Sequence, residues 1–241
     1  MQSIHGRKII LSLIFALSIF SGSAQLRYLN MEQHDDKLVH FGIQVGVNRS
    51  YYNFTRHPQF LMQDSITGIE SINSTGISLA WLVNLRMSEH LSLRTYPLNL
   101  VFTEKAFEYY LPTPDRVNGE DSITKKKLQG ITLSFPLQLK LSSDRINNLK
   151  VYMFAGGKID FDLAANAGKS NAEGLIKLSK MDYGVEAGIG FHIYFPYFVL
   201  SPELKLGYGL KNVHSRDELY KFSNTLDKVN ARTLMFSLTV E

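Results

Sequence analysis

From Ile131 to Leu141 every second residue is apolar. Ile131, Leu133, Phe135, Leu137, Leu139 and Leu141 fall on one side, and Thr132, Ser134, Pro136, Gln138, Lys140 and Ser142 on the other. A period of two over this length specifies a β-strand, because successive side chains of extended backbone point to opposite faces. The polar run Ser142–Asn148 turns the chain, and residues Leu149 to Leu163 return as a second strand. The same rhythm recurs along the chain. It places Val39, Phe41, Ile43, Val45 and Val47 opposite His40, Gly42, Gln44, Gly46 and Asn48, and it sets Ile77, Leu79, Trp81, Val83 and Leu85 on one face, with Leu82 interrupting the polar one. Between His90 and Thr103 the phase changes. Leu91 and Leu93 share one face and Tyr96, Leu98, Leu100 and Phe102 the other, which predicts a bulge at Pro97. Three more strands follow, at residues 183–195, 198–210 and 233–240.

The connections alternate between long and short. Thr55–Ser71, Lys105–Lys127, Ala164–Lys180 and Asn212–Lys228 are long and polar, with Lys105–Lys127 the longest and room for a short helix in Ala164–Lys180. Ser88–Glu89, Ser142–Asn148 and the break at Pro196 are short. Eight strands joined this way predict an all-β fold, an eight-stranded antiparallel up-and-down transmembrane β-barrel of the outer-membrane type, with short turns in the periplasm and long loops outside. A secreted calyx would turn the same apolar rows inward. Loop asymmetry, tall strands and a polar face rich in glycine favour lipid against the apolar rows. Tyr51, Tyr52 and Phe54 at one rim, and Tyr194, Phe195, Tyr197 and Phe198 at the other, are then expected to form the aromatic girdles.

The N-terminus changes the compartment. Arg7 and Lys8 precede an apolar run from Ile9 to Phe20 and the small residues Ser21–Ala24, the pattern of a cleaved secretory signal. Residues 1–24 are therefore expected to be a signal, 25–37 a short periplasmic lead and 38–241 the barrel. No cysteine is present, which excludes a disulfide framework and a lipoprotein anchor. The formal charge is +4, and removing the signal's two cations leaves +2, too even to point to nucleic acid.

Charges on the polar rows are the main candidate chemistry. Arg86, Lys140, Lys158, Asp160, Asp162, Glu186, Glu203 and Lys205 all point toward the lumen by parity, and eight strands leave only enough width for side chains to fill it. Charges so confined must pair, so an ion-pair network is expected there, with a proton or ion path as the alternative. His192 and Ser201 lie on adjacent polar rows with Glu203 two residues on, so a hydrolytic set is conceivable but weakly specified. The other histidines have no ligand spacing, and no catalytic, metal or cofactor site is expected.

Several of these segments together resemble a known family. HFGIQVGVN, LRTYPLNLVFTEKAFEY, FPLQLKLSSDRINNLKVYMFAGGKIDFDLA and GIGFHIYFPYFVLSPELKLGYGLKNV are similar, in that order, to PorT, a component of the type IX secretion and gliding machinery of Bacteroidetes. The resemblance implies a non-enzymatic outer-membrane barrel required for export of cargo carrying a C-terminal signal, with outer-membrane lipid and other membrane and periplasmic secretion proteins as partners. It assigns no residue a role. A barrel this narrow cannot pass a polypeptide, so an anchor or assembly partner is expected. Arg145, with Asn147 and Asn148, stands in the periplasmic turn and is the candidate contact for such a partner. The alternative is a stand-alone adhesin or structural barrel acting through its outer loops.

Overall fold

The computed structural model describes residues 29–57, 66–114, 121–164, 179–214 and 226–241, with backbone alone for 126–129. The expected signal at 1–24, and almost all of the segment expected to hold a helix after Ala164, lie outside the described residues. A 3₁₀ turn at Glu32–His34 precedes nine strands: β1 Val39–Arg56, β2 Gly68–Ile72, β3 Ser74–Arg86, β4 Leu91–Tyr110, β5 Ile123–Ser142, β6 Leu149–Asp162, β7 Met181–Tyr194, β8 Val199–Gly209 and β9 Leu226–Val240. Eight of them close a ring in the order β4-β3-β1-β9-β8-β7-β6-β5, with β5 returning to β4. First and last strands meet along Ile43–Arg56 and Leu226–Val240. Closure leaves no unpaired edge in the ring, which a strand crossing lipid requires.

The strand outside the ring, β2, corrects the expectation of a loop from Thr55 to Ser71. Gly68–Ile72 pairs with the top of β4, from Tyr110 down to Ala106, as a continuation of β3 beyond Asn73. A second correction concerns the connection expected from Lys105 to Lys127. β4 and β5 stay paired up to Tyr110 and Ile123, so much of that segment is hairpin rather than loop.

The alternation decides which side faces lipid. In β1 the exposed row Val39, Phe41, Ile43, Val45 and Val47 alternates with the buried row His40 to Asn48. Ile43 is 60 % exposed and Leu206 61 %, and their neighbours around the ring are similar. An apolar belt this continuous is stable only against hydrocarbon. Pro97 does mark a bulge, where β4 slips register against both β3 and β5. Tyr96, however, falls on the other side of it than the period suggests. It is fully buried with Ser92 and Arg94, packed against Leu82 and Ala80.

Three of the expected girdle residues, Tyr52, Phe54 and Tyr194, also need correction. Tyr52 points inward and stacks on Phe107, ring centroids 5.6 Å apart, with Phe54 edge-on to the same ring. These join Ile66, Ile69, Tyr109, Leu111, Val213, Leu226 and Val229 in an apolar cap over the extracellular end of the lumen. Tyr194 is buried at the periplasmic end, while Phe195, Tyr197 and Phe198 remain exposed.

Candidate functional site

The lumen is solid at mid-height. Arg94 on β4 and Glu203 on β8 stand four strands apart by either route around the ring, so their pair spans the whole diameter. The Arg94 Nη1 donates to Glu203 Oε1 at 2.5 Å and Nη2 to Oε2 at 3.3 Å, while Nε donates to Gln138 Oε1 at 2.8 Å. Both charged side chains are fully buried. Glu203 also accepts from the Tyr152 hydroxyl at 2.7 Å and Gln44 Nε2 at 3.1 Å. The guanidinium lies 4.3 Å from the Phe154 ring centroid. A carboxylate with four donors and a guanidinium under aromatic faces is the arrangement that allows a buried pair to persist without water.

Glycine makes the room for it. Gly188 and Gly190 on β7 face Phe154 and Tyr152 of β6 across the pair. A Cβ at Gly190 would lie 2.5 Å from the Tyr152 ring, and one at Gly188 2.5 Å from the Phe154 ring. Only bare backbone at these two positions lets the rings lie flat beneath Arg94.

The remaining lumenal candidates divide by height. Above the strut, Lys158 and Asp160, two residues apart on β6, form a direct pair, and Ser134 Oγ donates to Asp160 at 2.5 Å. Glu186 accepts from Gln138. Lys205 has no hydrogen-bond partner for its Nζ, which lies 5.0 Å from the Tyr96 ring centroid. These residues line a cavity of about 60 Å³, room for a few water molecules. Asp162 sits higher, half-buried, accepting from the Ala164 backbone at 2.9 Å. Below the strut, Lys140 lies 3.2 Å from His192 Nε2. Arg86 reaches out of the lumen to Asp36 at 3.6 Å and to the Asp35 carbonyl at 2.5 Å. The eight residues therefore do not form one network, and the largest tie uses Arg94, which the sequence reading passed over. Its signal was present: Ser92 and Arg94 alternate with Leu91 and Leu93.

His192 and Ser201 do meet, with Nδ1 2.7 Å from Oγ. The other ring nitrogen faces the Lys140 ammonium instead of a carboxylate, and Glu203 is held by Arg94 and Tyr152. Ser201 is fully buried. Nucleophile and base thus lack the orienting acid that hydrolytic triads use. Among the described residues no three His, Asp or Glu side chains converge into a metal-holding group.

The periplasmic mouth is covered by the chain's own lead. The Asp35 carboxylate accepts from the Tyr194 hydroxyl at 2.7 Å and lies 3.7 Å from Lys150 Nζ. The His34 carbonyl meets His40 Nε2 at 2.8 Å. Burial alone would raise the Asp35 pKa, but the His34 and Tyr194 contacts and the cations Lys150 and Arg145 outweigh it and hold the carboxyl well below the usual range. The turn residues named from the sequence join this cover. Arg145 donates to the Asn30 carbonyl, to Asn148 Oδ1 at 2.9 Å and, through Nε, to the Asn147 carbonyl at 2.8 Å. Its guanidinium stacks 3.7 Å from the Tyr194 ring centroid. Asn147 adopts φ 56°, a left-handed turn conformation that asparagine tolerates. Asn148 Oδ1 also accepts from the Asn30 backbone at 2.9 Å. Arg145 is therefore engaged within the molecule rather than held free.

Residues 24–215 match the family described as outer membrane protein beta-barrel domain. The chain belongs to that family, and its place is the outer membrane. No curated protein sequence matches it. Among solved structures it is similar to Neisserial surface protein A, at 14 % identity over 85 % of this chain and 99 % of that one, TM-score 0.44. It is also similar to OprG from Pseudomonas aeruginosa, at 9 % identity over 83 % and 93 %, TM-score 0.44. A third is Ail, the attachment invasion locus protein of Yersinia pestis, solved with the heparin analogue sucrose octasulfate, at 13 % identity over 83 % and 96 %, TM-score 0.37.

Proposed function

We propose that this outer-membrane barrel is a non-enzymatic accessory of type IX protein secretion, serving as an anchor or assembly partner at the periplasmic face and not as the conduit. The observation that carries the reading against a conduit is the diametric Arg94–Glu203 strut, which with its aromatic shelf fills the lumen. The PorT-like sequence segments supply the link to secretion. The working surface in this reading is the composite of lead and turn, where Asn30, Arg145, Asn148 and Tyr194 are joined. A deletion strain should retain C-terminal-signal cargo in the periplasm, and crosslinking in native outer membrane should capture secretion proteins on the turn side. Normal surface delivery of cargo without this protein overturns the reading.

One feature favours the second reading, an adhesin or structural barrel. β2 and the top of β4 stand above the belt over the apolar cap, a packed base for outer loops. Exchanging only the connections beyond the strands and cap, residues 112–121 and 214–225, for unrelated sequence separates the two. Loss of function on loop exchange selects the adhesin, and retained cargo export selects the accessory.

A further inference from the structure

The lipid-facing surface is not uniform. Outward residues form ladders across neighbouring strands, and two of them run side by side: Ala155–Ala187–Leu206–Leu234 and, one step toward the outside, Val185–Tyr208–Arg232–Tyr51. The alanines on β6 and β7 leave the first ladder shallow at one end, and the surface there sinks into an apolar groove of about 820 Å³. Arg232 lies at the groove's other end.

Strand tilt sets the two ends at different depths. On β9, Leu234 is the last outward apolar residue, and Arg232, Asn230 and Lys228 follow above it, so Arg232 marks the outer edge of the belt. On β6, Ile159 and Phe161 still face outward above Ala155, so Ala155 lies within the belt. The groove therefore descends from headgroup level into hydrocarbon.

The upper end is positively charged. The Arg232 guanidinium lies 4.9 Å from the Tyr208 ring centroid and is hydrogen-bonded to the Tyr51 and Tyr208 side chains, with its Nε buried. Exposed Arg49 stands on the adjacent strand beside Leu234, one step from the Tyr51–Arg232 pair. The outward positions between Arg49 and Asn53 on β1, and between Asn230 and Leu234 on β9, carry no carboxylate. A planar guanidinium positioned by two tyrosines beside a second arginine suits a phosphate, which accepts charge-assisted hydrogen bonds from both.

We infer that this groove is a specific binding site for a phosphate-bearing lipid of the outer leaflet, with the phosphate on Arg232 and Arg49 and one acyl chain lying over Ala187 and Ala155. A snorkelling arginine serving only to end the belt would need neither the groove below it nor the second guanidinium. This site is on the outside of the barrel wall and does not depend on the secretion reading.

Native mass spectrometry of the detergent-solubilised full barrel, mixed with dipalmitoyl phosphatidic acid or dipalmitoyl phosphatidylcholine, tests it. Wild type should retain one phosphatidic acid in preference to phosphatidylcholine. Arg232→Ala should weaken phosphatidic acid retention about tenfold, the scale of one lost charge-assisted contact. Ala187→Leu, which fills the groove and leaves both arginines, should weaken retention of both lipids. Lys228→Ala, with the same change in charge higher on β9, should leave retention unchanged. Heat-modified mobility of each variant checks that the barrel has closed. Equal retention of the two lipids by wild type, or wild-type retention by folded Arg232→Ala, overturns the site.

Discussion

The Arg94–Glu203 and Lys158–Asp160 ion pairs inside the barrel differ in almost everything but their chemistry. Arg94–Glu203 joins opposite walls, has no exposure and has both carboxylate oxygens and the guanidinium Nε engaged further, by Tyr152, Gln44 and Gln138. Lys158–Asp160 joins residues two apart on one strand, retains 12 % side-chain exposure on each partner and borders the cavity. The first pair constrains the shape of the ring, because strands on opposite sides must keep their distance for it to form. The second constrains only its own strand and can exchange a partner for water. Burial and span, more than the charges themselves, decide what an ion pair does in a lumen.

The largest test acts on the strut. Glu203→Leu leaves Arg94 buried without its counter-charge, and the expected loss is about 3–5 kcal/mol, read as a lower urea midpoint and a lower temperature for the heat-modified gel shift. The double variant Arg94→Met with Glu203→Leu should recover most of it, since neither charge is then stranded. An unchanged shift in Glu203→Leu would mean water reaches the strut, and the contrast between the two pairs would vanish.

The contrast was only partly readable from the sequence. Period-two alternation placed Glu203, Lys158 and Asp160 on the inner face because parity is strictly local. Arg94 obeys the same parity, but the phase change at Pro97 grouped its neighbour Tyr96 with the lipid-facing Leu98 and drew attention from the inner row. Which charge meets which is set by ring closure, and nothing local in either strand pairs position 94 with 203. Gly68–Ile72 reads as loop because its strand character comes from an overlong β4 to pair with. Tyr52 and Phe54 read as girdle because aromatics serve both interface and cap, and only the folded rim separates the two uses.

A smaller effect is expected at the second pair. Asp160→Asn keeps a hydrogen-bond acceptor for Ser134 and leaves Lys158 beside a cavity that can hydrate it, so the expected cost is about 1 kcal/mol. A loss as large as that of Glu203→Leu would show that the cavity is dry, and would make the two pairs equivalent.

Weaker still for the barrel is the polar lead. Asp35 is half-buried and its contacts are within reach of solvent, so Asp35→Asn should leave the heat-modified shift in place while speeding tryptic cleavage at Lys37 several-fold. Its carboxyl pKa is depressed in the docked state. The carboxylate's contribution to docking is therefore complete at neutral pH and is lost only as the pH falls below the ordinary aspartate value of about 3.9 toward the depressed one. The chain has no cysteine, so a single nitroxide at Leu29→Cys reports this directly. Its spectrum should stay immobile from pH 7 to about pH 4 and sharpen below that; sharpening near pH 6 would assign the control to a histidine.

The least effect on stability, and the sharpest on function, is expected at Arg145. The turn needs a residue tolerant of positive φ at Asn147, and nothing in its backbone requires a guanidinium at 145. The guanidinium instead ties three parts of the periplasmic face together: the Asn30 carbonyl of the lead, Asn148 of the turn and the Tyr194 ring at the end of β7. Arg145→Ala removes the tie and leaves the ring's ladders and the strut intact. Insertion and the heat-modified shift should match wild type, the nitroxide at position 29 should become mobile at neutral pH, and cargo secretion should fall. Arg145→Lys keeps the charge but loses the planar stack and the fork, so it should rescue little. Wild-type secretion by Arg145→Ala with a mobile lead would separate the cover from the secretion role. An immobile lead would place the docking energy in Asp35 and Asn30 alone.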